Sequence, residues 1–164
     1  MGRYAADTEV SPEASRAEIE RTLERWGAEQ FAYGRDDSQA MAVIMFRMQG
    51  RQVRVRIPLP RKDSREFTHT PGRNLERSRE QALAEWQKAC RQRWRACALI
   101  VKAKLEAIEA GISTLEDEFL SHIVLPDGRT YGEYAVPQIE TAYRTARMPP
   151  LLPWSGGCPK EPTQ

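Results

Sequence analysis

The sequence has few of the residues that carry most enzyme chemistry and most extracellular scaffolding. There are two histidines, His69 and His122, and three cysteines, Cys90, Cys97 and Cys158, in 164 residues. An odd cysteine count with no Cys-x-x-Cys pair argues against a disulfide framework and fits a reducing cytoplasm. Neither histidine lies in a hydrolase or protease motif, so no Ser, Cys or Thr nucleophile has a recognisable base. Glycine-rich phosphate loops are missing too, which removes the sequence grounds for nucleotide hydrolysis or dinucleotide redox chemistry. No apolar run approaches the roughly 18 residues that cross a bilayer, and the first ten residues lack the basic and apolar regions of an export signal. Ala6 stands where an acylation signal beginning at Gly2 wants Ser or Thr. The expectation is a protein that is not an enzyme and has no metal, no cofactor and no membrane contact.

What the sequence does have is charge, unevenly placed. From Arg47 to Lys104 there are sixteen Lys and Arg against five acids, a net of +11. The rest of the chain, out of totals of 25 and 23, holds nine bases and eighteen acids, a net of −9. Such a division points either to a polyanionic partner or to two parts of one molecule that attract each other. The length suits one domain, and 40% hydrophobic residues are enough for one core.

Residues 1–10 have no period and read as a flexible arm, and residues 155–164 as a disordered tail. Between them, 11–154 reads as a single α+β domain. Ser11, Pro12 and Glu13 give a helix start, and Ile19, Leu23 and Trp26 recur at helical spacing before Gly27. The period then falls to two. Three runs, from Phe31, from Gln39 to Met48 and from Gln52 to Leu59, predict a three-stranded antiparallel meander. With Gln49 and Gly50 as a two-residue loop, Phe46 faces Val53, Ile44 faces Val55, Ala42 faces Ile57 and Ala40 faces Leu59, every pair apolar. If Asp36 and Asp37 close the first hairpin, Tyr33 lies opposite Ala40 and Phe31 opposite Ala42.

Residues 61–74 read as a mobile basic loop with a brief extended piece at Phe67. A long central helix follows from a Ser78 and Gln81 capping box to Gly111, about 48 Å at ~1.5 Å per residue and longer than such a domain is wide. Its apolar stripe runs through Leu83, Trp86, Cys90, Trp94, Cys97, Val101, Leu105 and Ile108, with Leu99 and Ile100 widening the buried side. Two shorter C-terminal helices are expected: one opened by a capping box of Ser113 and Glu116, the other capped near Thr130 with Ile139, Ala142, Tyr143 and Ala146 on its apolar side. Met148 to Trp154 is apolar enough to dock along the body.

Candidate chemistry is confined to binding. Glu118 and His122 are four apart, but a metal site wants three or four converging ligands. Three cationic groups coincide: Arg47, Arg54 and Arg56 on the open sheet face; Arg61, Lys62, Arg65 and Arg73 in the loop; Lys88, Arg91, Arg95 and Lys102 as a ridge on the long helix. Cations in such numbers bind the phosphates of DNA or RNA without reading sequence. Because Phe31, Tyr33, Phe46, Trp86 and Trp94 are assigned to the core, chiefly Phe67 is left for base stacking. The arrangement predicts that Arg54→Ala with Arg56→Ala flattens the salt dependence of binding. The alternative site is Met41, Val43 and Met45 on the same open face, an adaptable apolar strip for a protein partner, or for self-association as a homo-oligomer.

Three stretches, VSPEASRAEIERTLERWGA, RQRWRACALIVKAKLEAIEAGI and HIVLPDGRTYGEY with MPPLLP, are similar to a group of small proteins encoded by tailed bacteriophages and prophages, over about residues 10–153. The resemblance implies a bacterial host cytoplasm and an accessory role in phage DNA replication or recombination, or in inhibiting a host defence or recombination complex. It transfers no catalytic residue. The order of helix, meander and long helix also resembles the core of single-strand annealing proteins, in architecture alone.

Overall fold

Ser11 opens the first helix as its Oγ accepts from the Ala14 amide at 3.1 Å, with Pro12 in the first turn where a missing N–H costs nothing. The computed structural model describes residues 8–152. The arm read at 1–10 therefore lies mostly outside the described residues, and the tail at 155–164 with Cys158 lies wholly outside them. The described elements are α1 (Pro12–Arg25), β1 (Gln30–Asp36), β2 (Met41–Met48), β3 (Arg51–Pro58), α2 (Arg65–Thr68), α3 (Arg79–Glu109), α4 (Leu115–Phe119) followed by a 3-10 turn (Leu120–His122), and α5 (Tyr131–Thr145). This is the expected α+β order with one added single-turn helix, α2.

The sheet is an antiparallel meander in the order β1-β2-β3. The β2–β3 register is the expected one, with Phe46 opposite Val53, Ile44 opposite Val55 and Ala42 opposite Ile57. Gln49 and Gly50 both have positive φ, the backbone that a two-residue hairpin loop requires. The first hairpin differs. Phe31 pairs with Phe46 and Tyr33 with Ile44, a shift of four from the expected partners. The reversal occupies Asp37 to Ala40, because Asp36 Oδ1 accepts from the amides of Ser38 and Gln39 at 2.9 and 3.2 Å and Ala40 takes φ 49°. An even shift keeps each side chain on its expected face.

That face is the core side. Ala42, Ile44, Phe46, Met48, Val53 and Ile57 pack with Ile19 and Leu23 of α1, with Trp94, Cys97, Ala98, Val101 and Leu105 of α3, and with Leu115 and Phe119 of α4. Phe46 and Phe119 meet edge to face with ring centroids 5.5 Å apart, worth ~1 kcal/mol beyond their area burial. α3 is one continuous helix of 31 residues, about 46 Å long at ~1.5 Å per residue, and its buried residues begin only at Ala89. Its first ten residues overhang the sheet. Ile100 is exposed, so it does not widen the buried side of the second half as expected.

Three further local expectations are corrected. Residues 61–74 are folded back on the overhang rather than an open loop: Phe67 is buried in α2, and the Arg77 guanidinium donates to the carbonyls of Glu66, Phe67 and His69 at 2.9, 3.1 and 2.8 Å. The capping box of α4 is Thr114 with Asp117, one residue later than read, because Ser113 donates to Glu118 instead. Past α5, Met148 stays exposed and lies beside α5 rather than along the body, while 153 and 154 of the stretch expected to dock lie outside the described residues. Among the described residues no helix is long and apolar enough to cross a membrane.

Candidate nucleic-acid interface

The sheet-face arginines are tied into the fold. Each oxygen of the Glu133 carboxylate, in the first turn of α5, accepts from one of them: Oε1 from Arg56 Nη2 and Oε2 from Arg54 Nη2, both at 2.8 Å. Oε2 also accepts from the Thr130 amide at 2.6 Å and from its hydroxyl at 3.1 Å. These donors, the Thr130 amide foremost, hold the Glu133 carboxyl below its ordinary value. Arg54 is mostly enclosed, with its side chain 21% exposed. Gly132 lets α5 come this close, since a Cβ there would lie 2.7 Å from the Ser121 carbonyl oxygen. A cavity of about 420 Å³ between β3, the 3-10 turn and α5 is lined by Arg54, Arg56, His122, Arg129 and Glu133.

Other basic residues of the central segment also meet acids from outside it. Arg95 pairs with Glu18 of α1, Arg51 with Glu116 at 3.2 Å, Lys104 with Glu118 at 3.0 Å, and Arg47 approaches Glu29 at 3.7 Å. The helix ridge is thereby interrupted at Arg95. Part of the charge asymmetry is thus internal attraction. The Glu118 carboxyl is committed to Ser113 and Lys104, which lower its pKa. Burial first, and then Lys104, push the His122 pKa below its ordinary value. Among the described residues no three His, Cys, Asp or Glu side chains gather as metal ligands would.

The remaining predicted cations collect elsewhere. Lys62, Arg73, Lys88, Arg91 and Lys102 have no carboxylate partner among the described residues; Arg65 bonds only the neutral Asn74 Oδ1 at 3.2 Å, and Arg61 is 3.5 Å from Asp63 with both exposed. Between Arg61 and Arg93 there are nine bases and five acids. This stretch comprises the folded-back segment and the overhang of α3. Lys102 stands apart, three turns beyond Arg91 on α3.

One residue of this region was misassigned from sequence. Trp86, placed in the core by its stripe position, is half-buried and lines a groove of about 410 Å³ with Arg35, Leu59, Pro60, Arg61 and Lys62. Its indole N–H donates to the Pro60 carbonyl at 2.8 Å, and the Lys62 ammonium stands 5.7 Å from the ring centroid. The signal available was helix length: an overhanging helix has no sheet opposite the start of its stripe. One turn on, the Cys90 thiol is pushed up by burial, with Arg35, Arg91 and Arg93 pulling the other way. Cys97, deeper in the core, is pushed up by burial to about 11, as a space-filling thiol would be.

Phe67 is buried and Met41, Val43 and Met45 are half-buried, so neither the expected stacking residue nor the expected apolar strip is freely open. A different apolar surface is open. Ile139, Ala142 and Tyr143 of α5, with Ala146, Met148 and Leu151 beyond it, surround a concavity of about 510 Å³, and Tyr143 is 88% exposed. No family model, no curated protein and no solved structure matches the chain.

Proposed function

We propose that this protein is a non-enzymatic phage accessory factor that binds nucleic acid through the basic overhang, in a bacterial cytoplasm. The observation that carries the reading is the set of cations left without carboxylate partners, Lys62, Arg73, Lys88 and Arg91, in a stretch with nearly twice as many bases as acids. A protein that spent all its bases on internal pairing would leave no such cluster; one that binds phosphates needs it. Of the three cationic groups expected from sequence, the sheet face gives way to the α2 and α3 end because Glu133 holds Arg54 and Arg56. The phage context and the link to DNA replication or recombination rest on the sequence resemblance.

The test is a titration of fluorescent single- and double-stranded oligonucleotides at low and at moderate salt. Binding that weakens steeply with salt is expected. Absence of binding to both at low salt would end the proposal.

A second reading, a protein-interaction module inhibiting a host complex or forming a homo-oligomer, is favoured by the open apolar side of α5, where Tyr143 and Met148 are 88% and 81% exposed. Capture from bacterial lysate with and without nuclease separates the two, since a partner lost with the nucleic acid supports the first.

A further inference from the structure

We infer that the groove beside Trp86 seats an unpaired nucleobase, so that the ligand of the basic overhang is single-stranded nucleic acid. The inference rests on the nucleic-acid reading above and narrows it. Phosphate-binding cations alone do not distinguish one strand from two, because both present the same backbone chemistry. An accessible aromatic ring does, because a base buried in a duplex stack cannot reach it without being unpaired and extruded.

Three features of the groove suit a base. The Trp86 ring is held in place by its own polar edge, whose N–H is satisfied at the Pro60 carbonyl, so the ring needs nothing from a ligand except its π surface. The walls supplied by Ala40, Leu59 and Pro60 are apolar, and about 410 Å³ falls within the range of small-ligand sites. At the rim Arg35 pairs with Asp37 and Arg61 lies 3.5 Å from Asp63, which leaves Lys62 as the unpaired cation for a neighbouring phosphate. The Lys62 ammonium now near the ring is replaceable: an exposed cation over an aromatic face is held weakly and gains by moving to phosphate. Lys88 and Arg91, further along α3 from Trp86, continue the basic stretch beyond the groove. The other charged groups lining the groove, Arg35 with Asp37 and Arg61 with Asp63, are engaged with one another, so tolerance of base identity is expected.

The experiment compares wild type with Trp86→Leu and Trp86→Phe, each checked by circular dichroism and thermal melting, on matched single- and double-stranded oligonucleotides. Trp86→Leu should lower the ratio of single- to double-strand affinity by about tenfold, the scale of one lost stacking contact, while Trp86→Phe keeps most of the ratio. Single-strand binding should also quench tryptophan fluorescence in the wild type, and that quenching should be largely lost in Trp86→Phe even though it still binds. If Trp86→Leu weakens both ligands equally, or if quenching persists in Trp86→Phe, the base site is overturned while nucleic-acid binding stands. If neither ligand binds the wild type, the underlying reading fails and takes the groove with it. Should Trp86→Leu not fold, the quenching comparison with Trp86→Phe decides alone.

Discussion

Glu133 pairs with two guanidiniums through one carboxylate, and Arg54 sits enclosed with its Nε lacking a partner among the described residues. An enclosed cation is destabilising unless its charge is answered, so the carboxylate contributes more than an exposed ion pair would. Its pKa is depressed in the fold from an ordinary 4.5. A depressed carboxyl binds fewer protons folded than unfolded, so its contribution is complete above that ordinary value and is lost as pH falls through the folded value. Glu133→Gln is therefore expected to cost about 1–2 kcal/mol at neutral pH, and less as the pH drops below 4.5. Urea denaturation of both proteins from pH 7 to pH 3 checks this; a constant difference across the range would mean that charge is not what the residue supplies. No local pattern marked Glu133 for this role, because Arg54 lies 79 residues away. The Thr130 cap was readable, but its tie to β3 was not.

At the level of elements, α5 is attached through a narrow seam. Ala135 is its one buried residue among those described, and its contacts run to the 3-10 turn and, through Glu133, to β3. Gly132 sits at the closest approach, with Ser121 as its neighbour, and its φ is ordinary, so space rather than backbone freedom is the reason for glycine. Gly132→Ala must push α5 off the turn and is expected to cost about 1–3 kcal/mol, with the largest rise in amide exchange over Leu120–Thr145 and little at β2. Hydrogen exchange resolved by segment is the measurement; a uniform change would contradict a local seam. Where register is concerned, β2 and β3 were legible because an apolar face fixes pairing to the residue. β1 was not, because its turn puts a left-handed φ on Ala40, a residue that does not advertise one. The face of every strand survived this error, and so did the core except for Tyr33, which was expected inside and is exposed. Trp86 and Phe67 exchanged roles for another reason: periodicity states which side of a helix is apolar, but only the partner's extent states how much of that side is covered.

Across the whole molecule, the basic middle and acidic flanks divide their charge between holding the fold and facing outward. Glu18, Glu29, Glu116, Glu118 and Glu133 come from the flanks and engage Arg95, Arg47, Arg51, Lys104, Arg54 and Arg56. Composition could show the imbalance but not its partition, since ion pairing depends on which helix end lands on which strand. The two populations of cations should separate in one experiment. Each phosphate-contacting residue removed lowers the slope of log affinity against log salt by about one. Lys88→Ala and Arg91→Ala are therefore expected to flatten that slope by about one apiece, with melting temperatures close to wild type. Arg54→Ala with Arg56→Ala should do the reverse of what the sequence suggested: the slope stays, and the melting temperature falls because Glu133 loses its partners. Measured slopes over a several-fold range of salt, paired with thermal melts, read both quantities. A flattened slope for the Arg54 and Arg56 pair at unchanged stability would return the interface to the sheet face and displace it from the overhang.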